Sequence, residues 1–263
     1  MEKTHIISEQ IFRTALREAA PDEAVQGEMQ RIRALYRDGG FRRLVTVGFG
    51  KAAPVMAGAL AESLGDLVDA GLVITKYGHA LTPVPGRIKI FEAGHPVPDS
   101  NGLRATEELL RLVRAADGRT LIVTLISGGG SALLVAPQDG ISLADKQRTT
   151  SLLLNAGADI GELNTVRKHL SRVKGGRLAE AAFPATVVSL ILSDVIGDRL
   201  DVIASGPTAA DPTTFGEALG IFERYRLSEA VPPPVMELLR RGDRGDIPET
   251  PKAGSLFLDR IEK

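Results

Sequence analysis

Five short runs of the chain, residues 44–49, 72–75, 88–91, 120–126 and 186–192, are nearly continuous in Val, Ile, Leu and Thr. A strand with one wet face alternates apolar and polar residues, whereas a strand apolar throughout is buried on both faces. The stretches between these runs carry helical spacing, as in Leu103, Leu109, Leu110 and Val113 of residues 101–114. Buried strands separated by helices predict an α/β domain: a doubly wound, Rossmann-like parallel sheet with helices on both faces. Such sheets bind ligands beyond the carboxyl ends of their strands. Three unusual turns follow strands directly: Gly48-Phe49-Gly50-Lys51, Ser127-Gly128-Gly129-Gly130-Ser131, and the acidic loop that opens at Ser193-Asp194. The pattern therefore collects them on one rim.

Around that core the expected organisation is simple. Residues 1–40 read as a helical segment packing on the main domain. Ile7, Ile11, Leu16 and Ala19 form a first stripe, and Val25, Met29, Ile32 and Leu35 a second after the break at Pro21. Residues 41–241 form the Rossmann-like domain. Residues 242–263, rich in Gly, Asp and Pro, read as a linker at the end of the chain.

Composition narrows the function. With 32 Lys+Arg against 33 Asp+Glu the net charge is −1, which supplies no electrostatic reason to bind nucleic acid. The absence of cysteine excludes a disulfide framework, a thiolate metal site and a cysteine nucleophile. No apolar run approaches the ~20 residues of a membrane span. The first ten residues lack a signal-peptide core, so a soluble cytoplasmic protein is expected.

The turns carry the chemistry. Gly50 lets the backbone approach an anion, and Lys51 adds a mobile positive charge at the start of a helix. Neither GxxxxGK[ST] nor GxGxxG is present, because Ala53 stands where a third glycine belongs. Three successive glycines at 128–130 can present their N–H groups as an anion nest, with the hydroxyls of Ser127 and Ser131 beside them. The nucleophile pattern GxSxG is missing around Ser131. Asp194 is placed to share a Mg²⁺ with phosphate oxygens. The basic run Arg167, Lys168, Arg172, Lys174 and Arg177, which ends at Gly175-Gly176, reads first as a solvated helix face; some of its members can reach a phosphate, and spacing alone does not choose among them. His79, His95 and His169 lack metal-ligand spacing, and Asp99 and Ser100 are placed to cap the helix that follows.

In order, the motifs Gly50-Lys51-Ala52-Ala53, Gly94-His95-Pro96-Val97-Pro98-Asp99, Ser127-Gly128-Gly129-Gly130-Ser131-Ala132, Asn164-Thr165-Val166-Arg167-Lys168-His169, Lys174-Gly175-Gly176-Arg177 and Ala204-Ser205-Gly206-Pro207-Thr208 resemble those of the class II glycerate kinases. The likeness runs over nearly the whole chain. It implies phosphorylation of D-glycerate to 2-phosphoglycerate by ATP with Mg²⁺ in the cytoplasm, with Lys51 as the family's essential lysine. It further implies that Gly50, Ser127–Ser131, Arg167, Lys174, Gly175 and Gly176 bind phosphate, nucleotide or substrate, with Asp194 at the metal.

Members of that family also carry a C-terminal lobe of the MOFRL type. The resemblance thus implies an N-terminal lobe, active when completed by a separately encoded half, or self-associating through the face left open. Two alternatives stand beside it: an NAD(P)H-dependent hydroxypyruvate reductase, and a ligand-binding remnant without catalysis.

Overall fold

The computed structural model describes residues 7–9, 11, 12, 14, 20–80 and 84–262. Leu16 and Ala19 of the first expected stripe lie outside them. The second stripe forms helix α1 (Pro21–Asp38), opened by a proline at its first position and burying Val25, Met29 and Ile32. Strands β1 (Arg43–Phe49), β2 (Val68–Lys76), β3 (Ile88–Ala93), β4 (Thr120–Ile126) and β5 (Thr186–Ile191) follow the five apolar runs. Their order is β3-β2-β1-β4-β5, every pair parallel. The predicted doubly wound sheet is therefore present.

Alternate residues of the strands feed two cores. Val45, Val47 and Phe49 of β1 pack with Leu109, Leu110 and Val113 of helix α3 (Ser100–Arg114) and with Leu178 and Ala182. Leu44 of β1, Val73, and Leu121, Val123 and Leu125 of β4 pack on the other side with α1 and helix α2 (Ala53–Leu64). This is the period of two expected of a strand whose both faces are dry.

A third core lies among helices. After the single turn α4 (Gly130–Leu133), helices α5 (Leu143–Asn155) and α6 (Ile160–His169) each begin at a reciprocal capping box, Ser142 with Asp145 and Asp159 with Glu162. Beyond the short α7 (Arg177–Ala182), α8 (Phe215–Arg224) and α9 (Pro233–Asp243) close this cluster around Phe215, Phe222 and Leu239.

Over the described residues 242–262 the expected linker is absent and the segment packs on the domain. Thr250 is buried and donates to Asp211 Oδ2 at 2.9 Å, and Asp211 N–H donates to Pro251 O at 2.8 Å. Ile261 and Glu262 then form a two-residue strand β6 beside β5. Gly and Pro signal irregular backbone; they do not signal absence of packing.

Candidate functional site

The strand order reverses between β1 and β4, since β1 leads to β2 on one side and β4 to β5 on the other. At the carboxyl ends of these two strands a crevice opens in any doubly wound sheet. The two glycine-bearing turns meet here. Lys51 N–H donates to Gly128 O at 2.9 Å, and Ala52 N–H donates to Ser127 Oγ at 3.1 Å. Gly50 has φ +132°, and a Cβ on it would lie 2.6 Å from Ser127 O. Only glycine allows this approach. Lys51 itself is exposed and stands just ahead of the N-cap Ala52, not inside the first turn. The helix dipole therefore opposes its charge less than the sequence pattern implied.

In the second turn, Gly129 adopts φ +86°. Among the described residues the N–H groups of Gly128, Gly129 and Ser131 find no protein acceptor, while Gly130 N–H is held by Ser127 O. Three open donors beside a lysine suit an anion. His95 closes the group: a Cβ on Gly129 would lie 3.0 Å from its ring and 3.4 Å from Lys51 Cγ. Burial, and then the charge of Lys51, lower the pKa of His95 and keep it neutral at physiological pH. Asp99, as expected, caps α3 by accepting from Gly102 N–H at 2.9 Å.

A cavity of about 320 Å³ extends from this turn, lined by Gly129, Ser131, His95, Lys146 and Arg167 among others. Ser131 is fixed from behind. Its Oγ lies 2.7 Å from Ser205 Oγ, which donates to the buried Asn164 Oδ1 at 2.9 Å. Lys174, with no exposed surface, donates to Ser131 O at 2.8 Å. The Ala204-Ser205 segment that makes this brace is left-handed, with φ +51° and +63°.

The basic run is not a solvated face. Helix α6 packs against α5, α8 and the turn Ile203–Ser205, which buries Lys168 and half-buries Arg167, and Lys174 beyond the helix end is buried as well. Lys168 pairs with Asp211 at 3.1 Å and Asp201 at 3.7 Å, and Arg172 pairs with Glu107. Arg167 lines the cavity, whereas Lys174 lies behind its Ser131 wall and does not reach it. Gly175 and Gly176 do not join it as phosphate ligands: both are buried, and their N–H groups donate to Ser205 O at 3.0 Å and Gly206 O at 2.7 Å. Their left-handed φ values of +56° and +83° serve the turn into α7.

Lys146 carries no sequence motif. It follows Asp145 in a polar helical stretch and reads as solvated. Its spacing from Thr149 and Leu153, three and seven residues on, places it on the buried stripe of α5 and is the one available signal. Burial, and then Arg167, bring its pKa down to about 7.

Asp194 is exposed at the same rim, and its Oδ2 would lie 2.6 Å from a Cβ on Gly128. No group of three His, Cys, Asp or Glu among the described residues could hold a metal. A lone carboxylate fits Mg²⁺ held jointly with phosphate oxygens, and does not fit a cage built by protein alone. Asp201, by contrast, is engaged by Lys168 and Arg199. No described helix is long and apolar enough to cross a membrane.

Residues 7–240 match the family described as "Domain of unknown function (DUF4147)". The chain is 46% identical over 224 residues to a D-glycerate 2-kinase of Thermotoga maritima, covering 84% of this chain and 52% of that protein. It is 48% identical over 214 residues to a putative hydroxypyruvate reductase of Agrobacterium vitis, covering 81% and 47%. A crystal structure of glycerate kinase from Thermotoga maritima superposes with a TM-score of 0.76 at 43% identity, covering 95% of this chain and 58% of that one. The chain thus spans about half the length of the curated relatives it matches.

Proposed function

From the premise that this chain belongs to the DUF4147 family, we propose that it provides the glycerate- and phosphate-binding lobe of a D-glycerate 2-kinase. The reaction is transfer of the γ-phosphoryl group of ATP to the 2-hydroxyl of D-glycerate, giving 2-phosphoglycerate and ADP. The observation that carries this reading is the meeting of Lys51 with the open N–H groups of Gly128, Gly129 and Ser131 at the sheet's switch point. Phosphoryl transfer asks for positioning and charge neutralisation more than for covalent machinery.

In this reading the N–H groups and the Lys51 ammonium hold the phosphate oxygens. Asp194 would hold Mg²⁺ together with those oxygens, and the ion would neutralise charge developing on them. His95, neutral, is placed to orient the substrate hydroxyl. A cytoplasmic location is compatible with these small polar substrates and with the lack of cysteine.

The Agrobacterium relative's name supports a second reading, reduction of hydroxypyruvate by NAD(P)H. One residue weighs against it: β2 ends at Lys76, where a dinucleotide fold places an acid for the ribose.

The test is ADP release with ATP, Mg²⁺ and D-glycerate, run on this chain alone and with the C-terminal half of the Thermotoga enzyme added. Glycerate-dependent release that disappears in Lys51→Ala is the expected result. Absence of release in both arms, with NADH oxidation on adding hydroxypyruvate, would replace the kinase by the reductase.

A further inference from the structure

The phosphate grip at the rim leaves a second set of charges unused. Lys146 is only 5% exposed, and its ammonium has no hydrogen-bond partner. Arg167 lines the same cavity, and Lys174 lies behind its Ser131 wall. The acids nearby are engaged by other cations: Asp211 and Asp201 by Lys168, and Glu107 by Arg172. Lys146 and Arg167 thus share the cavity with no acid among its described lining residues. An unpaired buried charge is strongly unfavourable, so folding alone gives no reason to keep them. A bound anion does.

The shape of the cavity says which kind. Pro98 and Leu154 add apolar surface to its lining, and at Gly129 it adjoins His95 and Lys51. A compact anion with a short carbon chain fits within it. Arg167 offers a planar fork matched to a carboxylate, and Lys146 a point charge beside it.

We propose that Lys146 and Arg167 form a carboxylate subsite that holds the acid end of a short hydroxy acid and turns its hydroxyl toward Lys51. The proposal rests on the kinase reading for the identity of the acid, and on the cavity alone for the subsite.

Calorimetric titration of the purified chain at pH 6.5 tests it, with D-glycerate, D-lactate, glycerol and inorganic phosphate as probes. D-glycerate should bind, and glycerol, which lacks the carboxylate, should not. Lys146→Met and Arg167→Met should each weaken D-glycerate by about 10- to 100-fold, the range of one charge-assisted hydrogen bond. Lys146→Met should melt no lower than the parent, which separates a binding role from a structural one. Binding of D-lactate but not D-glycerate, lost in Lys146→Met, would uphold the subsite and remove glycerate as substrate. Undiminished D-glycerate binding in both variants would overturn the subsite and leave the kinase reading standing. Binding of phosphate in place of either acid, or of no acid at all, would also overturn it.

Discussion

Replacing Lys146 by methionine should make the free protein more stable. The ammonium is enclosed, unpartnered, and faced by Arg167 on α6, Lys174 before α7 and His95 before α3, with no acid among the groups lining its cavity. Bringing a lysine from 10.5 to about 7 corresponds to roughly 5 kcal/mol between its two protonation states. Part of that returns when the long side chain shifts toward the cavity mouth. A net gain of about 2 kcal/mol is expected, or roughly 4–8 °C in Tm for a chain of this size.

The dependence on pH gives the sharper test. Above about pH 7 the folded protein releases the Lys146 proton, while the unfolded chain keeps it up to about 10.5. The unfolded state then binds more protons, so stability rises with pH through this window. The penalty of the buried charge is full below pH 7 and fades toward 10.5. The advantage of Lys146→Met should therefore be largest at pH 6.5 and shrink by up to about 1.4 kcal/mol per pH unit above 7. Urea unfolding of both proteins at pH 6.5 and pH 9 measures this. A variant less stable than its parent at pH 6.5, or an advantage unchanged at pH 9, would refute the buried, uncompensated charge.

Other substitutions probe the rim and its surroundings. Lys51→Ala should leave the melting temperature within about 1 °C, since the side chain is exposed, while weakening ATP and 2-phosphoglycerate in titrations; unchanged affinity for both would remove Lys51 from the site. Gly129→Val should abolish ligand binding where Ser131→Ala only reduces it, because φ +86° and the His95 ring at 3.0 Å both exclude a branched side chain. Equal effects would show that the turn's conformation is not what binds. Glu249 accepts from Phe215 N–H at 2.7 Å and adjoins His169 at 3.2 Å, and these contacts bring its pKa down to about 2 despite burial. A depressed carboxylate adds stability above pH 4.5 that is lost as pH falls toward 2, so Glu249→Gln should be less stable than the parent at pH 7 and converge with it near pH 2. A difference that persists at pH 2 would place its role outside ionisation.

What the sequence disclosed follows the reach of each signal. Strand positions were legible because a doubly covered parallel sheet demands unbroken apolar runs, and the turns at Gly50 and Gly128–Gly130 because glycines cluster only where backbone geometry requires them. The partners of these turns come from far along the chain. Ser205 and Asn164 brace Ser131 through hydrogen bonds spanning 74 and 41 residues, which local spacing cannot reveal. The basic run misled because charge suggests solvent, whereas Lys168 is buried against Asp211, 43 residues away. Lys146 was hidden for the same reason, and Gly175 and Gly176 because a left-handed turn looks alike in sequence whether its N–H groups face a ligand or a neighbouring loop.

The most direct measurement of the whole site is a crystal structure of the protein with D-glycerate and a non-hydrolysable ATP analogue. The carboxylate should lie between Lys146 Nζ and the Arg167 guanidinium, the 2-hydroxyl should face Lys51, and the terminal phosphate should rest on the N–H groups of Gly128 and Gly129. D-glycerate bound away from this cavity, or phosphates remote from the Gly128–Ser131 turn, would contradict a phosphoryl-transfer site built where β1 and β4 part.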